Sequence, residues 1–435
     1  MVAAALVGCR GAVTPEVTAE PLESVTTVLE VRWDRIGDSV GWVELPDGTV
    51  APDVGDDPVQ HRVLVAGFPQ LTNVSLLPVM TVDGQRIEGE PYTATTGVLP
   101  AGLPLFRYTT VAQQEVDPPF LLVTVIGQSS NALILNREGE IVWYSRLDAN
   151  TDAAKAIWDP TYGEVAFLYN ARDRTNDISS IRRVTLDGVA YPDIRAIRGH
   201  HALAQPEEGV FAFLSADIRD PDGEGDVIGD AIVEVDASGA EREVWTAWDE
   251  VPFEGRFDAD AFYEVGYDWL HGNALNWMPE RNSYLYSSRN LSTVYEIDRD
   301  TGEIIETFGG PGDRPFDPPD AAFMAQHSPS YTPEGHLLIF DSRLPDAPEE
   351  HARIAEYNVT PGRLEMVREF KALPGYHVMA LGDADRLESG DTLSSWGTVG
   401  QLIQFNEEAE EIWRLSSDIG FVVGDVQGLP SLYPE

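Results

Sequence analysis

Cysteine is almost absent from this chain: Cys9 is the single example among 435 residues. No intrachain disulfide, cysteine-based zinc site or thiol nucleophile can therefore be built into its body. Basic residues are scarce as well, 29 Lys and Arg against 73 Asp and Glu, for a formal charge of -44. A surface of that sign repels nucleic acid and anionic headgroups, because it lacks the basic footprint that releases counterions from phosphate. Nucleic acid is not expected as a partner. Long apolar runs are missing too, and no segment approaches the roughly 18 residues that a spanning helix needs.

The apolar stretch from Val2 ends in Leu6-Val7-Gly8-Cys9. It resembles the end of a bacterial lipoprotein signal, and so predicts an extracytoplasmic chain, periplasmic or at the cell surface, whose only membrane attachment is a lipid on Cys9. Residues 10–23, small, polar and Pro-containing, read as a tether.

Short strand patterns are plentiful, punctuated by 30 prolines and 38 glycines. Candidates at 27–33, 40–45, 61–66 and 72–81, with turns at Asp38-Ser39, Asp47-Gly48 and Asp83-Gly84, predict a small fibronectin-like β-sandwich over 24–115. From 116 a strand–turn–strand unit recurs, first as Ala132 to Trp143 and then from Val165, Val210, Ser283, His336 and Asp391. None of these units can bury its apolar face alone, and stacking them radially solves that problem. A period near 50 residues over 116–435 gives about six blades, so the fold class is all-β, a six-bladed β-propeller behind the sandwich. The turns Pro206–Gly209, Pro333–Gly335 and Glu388–Gly390 are expected to lead into inner strands and to border the axial funnel that carries a ligand.

Only eight histidines are present, and three open a repeat: His201 in Gly199-His-His-Ala-Leu, His271 in Asp268-Trp-Leu-His-Gly-Asn273, and His327 in Gln326-His-Ser-Pro-Ser. They lie 13, 15 and 13 residues before Leu214, Tyr286 and Phe340, the ends of the strands that follow. Equivalent blade positions make them neighbours round one axis. Arg289 ends the strand motif Tyr286-Ser-Ser-Arg289, where a guanidinium forms a fixed fork for sulfate or phosphate. Against this stands a plainer reading, in which each imidazole caps a turn and Arg289 sits in a buried ion pair. The three histidines also have the makeup of an open zinc site, which a neighbouring arginine disfavours. Asp220, Asp222, Glu224 and Asp226 alternate in a Gly-rich loop, a weak calcium candidate without the closing Glu of an EF-hand. No metal and no cofactor is expected.

The triplet His271-x-Asn273, the Tyr-x-Tyr-Ser-Ser-Arg289-Asn-Leu-Ser motif, Asp298-x-x-Thr-Gly, Phe308-Gly-Gly310 and Gln326-His327 leading to Leu-Ile-Phe-Asp341 resemble the bacterial arylsulfate sulfotransferases. The resemblance covers nearly all of the chain after the tether. It implies a sandwich followed by a six-bladed propeller, and transfer of a sulfuryl group from an aryl sulfate to a phenol without the nucleotide donor PAPS. By the same resemblance His327 is the nucleophile that becomes sulfohistidine, His271 and Arg289 hold the sulfate oxygens, and His201 is acid or base at the phenolic oxygen. Asn273 and His200 are expected to touch substrate. The family often has His-Asp where this chain has His201-Ala202, which leaves the orientation of His201 to another group. A propeller that binds a ligand or protein at the cell envelope without turnover is the competing reading.

Overall fold

A computed structural model describes residues 17–110, 116–127, 129–149, 151–171, 179–257, 261–262, 266–310, 312, 314–343, 351–418 and 422–433. The chain divides between Pro100 and Ala101 into two units.

In the smaller unit Thr18–Pro21, Leu29–Asp34 and Gln60–Val65 form one antiparallel sheet. A second sheet joins Val50–Pro52, Val40–Glu44, Asn73–Val82 and Gln85–Glu88, with Tyr92–Thr95 also paired to Asn73–Val82. Leu29, Val31 and Trp33 are buried while Glu30 and Arg32 between them are not, the alternation that gives a strand one core face. Thr18–Pro21, expected within a tether, is a strand because Leu29–Arg32 takes up its backbone hydrogen bonds.

The larger unit holds six sheets among the described residues. Antiparallel pairs dominate. The first sheet runs Val422–Leu429, Phe120–Ile126, Ser129–Asn136, Ile141–Ala149. In the second, Ala156–Asp159 pairs with Glu164–Ala171, followed by Ser179–Thr185. The third begins with Gly199–Glu207, the fourth with Gly272–Met278, the fifth with His327–Tyr331 and the sixth with Asp383–Arg386. These six leading strands touch in succession, and Val422–Leu429 meets both Asp383–Arg386 and Ala156–Asp159. They close a ring.

Apolar layers fill the spaces between neighbouring sheets. Leu214, Ile232 and Trp245 of the third pack with Leu275, Tyr284 and Tyr286 of the fourth, and Phe308 and Leu285 of the fourth pack with Ile339 and Tyr357 of the fifth. A sheet buried on both faces in this way explains the near-continuous apolar runs, such as the fully buried Leu337–Asp341.

Two expectations are corrected. Phe106–Thr110, assigned above to the first domain, pairs with Glu411–Ser417 as the outer strand of the sixth sheet, so the divide is near 100 rather than 115. The strand covers an edge that would otherwise be left unpaired. The turn at Glu208-Gly209 follows the leading strand Gly199–Glu207 instead of preceding it, and lies at the opposite end of that strand from His201. The same holds for Pro333–Gly335 and His327.

Candidate active site

Each of the three leading strands that carry the histidines breaks register at its start. His200 pairs with Leu214 but Leu203 pairs with Phe213; Gly272 pairs with Ser288 and Ala274 with Ser287; His327 pairs with Phe340 and Ser330 with Leu338. A bulge inserts a residue and re-aims the side chains beside it. His201, His271 and Ser328 accordingly have φ of 53, 49 and 45°. Residues other than glycine rarely adopt this left-handed region, and where they do the strain often marks a functional site. The near-equal spacing in sequence thus hides a shift: His327 faces Phe340, whereas His200 rather than His201 faces Leu214.

His201, His271, Arg289 and His327 line one cavity of about 480 Å³. All six sheets or their connections contribute to it: Val422 and Ile126 from the first, Leu168 and Asn170 from the second, Leu381 and Thr398 from the sixth. The third, fourth and fifth sheets bring the imidazoles and the guanidinium, while the first, second and sixth bring mainly aliphatic side chains together with Asp152, Asn170 and Thr398.

His327 is buried, with Nδ1 3.2 Å from Oγ of Ser342. Burial first, and then the charges of Arg289 and His271, push its pKa down to about 3. At neutral pH the ring is uncharged and keeps a nitrogen lone pair. Arg289 is anchored by its main-chain N–H, which donates to the His271 carbonyl at 3.2 Å, and its guanidinium reaches the Met379 carbonyl at 3.5 Å. His271 has Nδ1 3.4 Å from Oδ2 of Asp268. That carboxyl accepts the main-chain N–H groups of Phe262 at 2.8 Å and His271 at 3.1 Å. Its burial and the nearby charge of Asp230 raise its pKa to about 7. The rings of His201 and His271 are 5.4 Å apart, and Phe262 lies 4.0 Å from His201.

His200 and Asn273, expected to touch substrate, are placed otherwise, since neither lines the cavity. His200 is buried behind His201, Nδ1 to Nδ1 3.0 Å. Asn273 donates through Nδ2 to the Gln326 carbonyl at 2.8 Å and so holds the backbone just before His327. In the acidic loop Asp222 is engaged by Arg256 at 3.1 Å and by the Glu224 N–H at 3.0 Å, while Asp220 accepts the Gly225 N–H at 3.3 Å. Among the described residues no three of His, Cys, Asp and Glu are placed to hold a metal ion. Cys9 lies outside the described residues.

Four site residues escaped the sequence reading: Ser342, Phe262, Asp268 and Asp230. Only Asp268 left a signal, as the residue three before His271. The assembled groups are a neutral buried imidazole, a guanidinium fork, two further imidazoles and mainly aliphatic side chains. They suit covalent transfer of a small oxyanionic group carried on an apolar body.

A family model described as arylsulfotransferase (ASST) matches residues 107–360. The comparison with curated proteins gives no match. Among solved structures, a Bacteroides caccae protein of unknown function is 17% identical, with 71% of this chain and 98% of that chain covered and a TM-score of 0.46. A streptogramin B lyase is 12% identical over 72% and 98%, with a TM-score of 0.39.

Proposed function

The chain belongs to the arylsulfotransferase family, and from that membership we propose that it carries a sulfuryl group from an aryl sulfate to a phenol through His327, without PAPS. In the first half-reaction a ring nitrogen of His327 attacks sulfur, the bond from sulfur to the aryl oxygen breaks, and the departing phenolate takes a proton from His201. In the second, His201 accepts the proton of the incoming phenol as its oxygen attacks the sulfohistidine. The nitrogen–sulfur bond then breaks and His327 is restored. Arg289 and His271 face the sulfuryl oxygens and stabilise the charge that builds on them. The aliphatic side chains receive the aryl ring.

The observation that carries this reading is His327 itself, buried and held uncharged in one cavity with Arg289 and His271. A nucleophile must keep its lone pair beside the cations that bind its substrate, and desolvation allows both. Those cations also give an anionic ester a local attraction inside a chain of charge -44.

In the same reading the six sheets are the blades of a six-bladed propeller and the smaller unit is a fibronectin-like sandwich. No cofactor enters the reaction. Lipidation of Cys9 outside the cytoplasm completes the proposal. Incubation with p-nitrophenyl sulfate and a panel of phenols tests it: p-nitrophenol appears with the intact chain and not with His327→Ala. Failure of every donor and acceptor pair would overturn the reading.

A further inference from the structure

Behind His201 runs a buried chain of polar groups that never reaches the cavity. Nδ1 of His201 is 3.0 Å from Nδ1 of His200, the two rings standing at 88°. Nε2 of His200 is 3.1 Å from Oδ1 of Asp230, both side chains being 3% exposed. The other oxygen of Asp230 accepts the Tyr286 hydroxyl at 2.6 Å and the Gly272 N–H at 2.8 Å. Gly272 is required at that point, because a Cβ there would lie 2.5 Å from Oδ2 of Asp230.

We infer that Asp230 and His200 are positioning residues that fix the tautomer of His201, an inference that rests on the transfer reading above. The direction follows from the donors. Oδ2 of Asp230 accepts the Gly272 N–H, a donor that cannot reverse, and the Tyr286 hydroxyl. Nε2 of His200 lies 3.1 Å from the other carboxylate oxygen, off the line of a hydrogen bond, and an N–H dipole is better placed beside that oxygen than a lone pair. In a neutral ring Nδ1 of His200 is then an acceptor. Two ring nitrogens 3.0 Å apart need one hydrogen between them, and it must come from Nδ1 of His201. With Nδ1 so occupied, Nε2 of His201 is the nitrogen that gives its proton to the departing phenolate and, once bare, takes one from an acceptor phenol. Ala202 follows His201 with no carboxylate of its own, and Asp230 supplies one through a second imidazole.

Nitrogen spectra of chain labelled with ¹⁵N-histidine, with His201→Gln identifying the His201 signals, test the relay directly. The expected result is a hydrogen on Nδ1 of His201 at neutral pH, before and after sulfation; a His201 bare at Nδ1, or a doubly protonated His200, overturns it. Kinetics give a second readout. With p-nitrophenyl sulfate, whose leaving group needs no acid, His200→Gln and Asp230→Asn should keep the initial burst of p-nitrophenol. Transfer to weakly acidic phenols should fall about 100-fold, the usual contribution of a positioned base, and should recover with phenols already ionised at the assay pH. Equal losses in both half-reactions, or none, overturn the inference. Absence of a burst from the unaltered chain breaks the transfer reading instead, and the spectra still decide the relay.

Discussion

Two polar clusters are built on and beside the inner strands of the same six sheets, and they differ in what they face. His201, His271, Arg289 and His327 turn towards a cavity, two of the three imidazoles on left-handed backbone. The other cluster answers its own charges. Lys155 donates to Asn276 at 2.5 Å and lies 3.4 Å from Asp425, while Asp383 accepts the Ser328 hydroxyl and the Val426 N–H, the latter at 2.9 Å. Burial works against the charge of Lys155, yet Asp425, Asp383 and Asp385 together hold its pKa up. Burial and mutual repulsion raise the pKa of Asp385 and Asp425. Cross-linked to five of the six sheets, this group ties the ring together. The histidine group instead lines the cavity.

If that division of labour is right, the two clusters fail differently when altered. His327→Ala should abolish transfer, by on the order of 10,000-fold or more as for loss of other covalent nucleophiles, with little change in thermal stability; a matching loss of stability would merge the two roles. Arg289→Lys, which keeps charge but loses the fork, should lower kcat/KM by roughly 100- to 1,000-fold, measured with the same ester. Lys155→Met should do the reverse. Leaving three buried carboxylates without their cation should cost about 3–5 kcal/mol in denaturant unfolding, while the transfer rate of the folded fraction stays within a few-fold.

Acid sharpens the contrast. The folded pKa of His327 is about 3 against an ordinary 6.5, so the unfolded chain takes up a proton first. Stability is therefore lost as pH falls from about 6.5 towards 3, and His327→Gln should remove a loss of roughly 3–5 kcal/mol over that window. Asp268 has the opposite sign: raised to about 7, it favours the folded chain at low pH and gives that up as pH rises through 7. The smallest effect is expected far from both clusters. Asp222→Asn, at the exposed pair with Arg256, should change neither transfer nor stability measurably.

How much of this was legible in the sequence follows from how local each feature is. Strand pairs joined by tight turns announce themselves within a dozen residues, as at Ser283–Ser288 and Thr293–Asp298. The histidines and Arg289 were found because repeats can be laid over one another. Phe106–Thr110 was misassigned because its partner, Glu411–Ser417, lies at the other end of the chain. Asp230 and Ser342 left no mark, sitting within or next to strands whose apolar pattern conceals them. The bulges that aim His201 and His271 appear only in cross-strand register, and so His200 was given a contact that belongs to its neighbour.

The account stands most directly on a bond between sulfur and His327. The chain should be mixed with p-nitrophenyl sulfate without acceptor, quenched in base to protect an acid-labile adduct, and analysed by peptide mass spectrometry. One SO₃ should appear on the peptide containing His327, vanish when phenol is added, and be missing from His327→Ala. Release of p-nitrophenol with no adduct, or an adduct on another residue, would contradict the account.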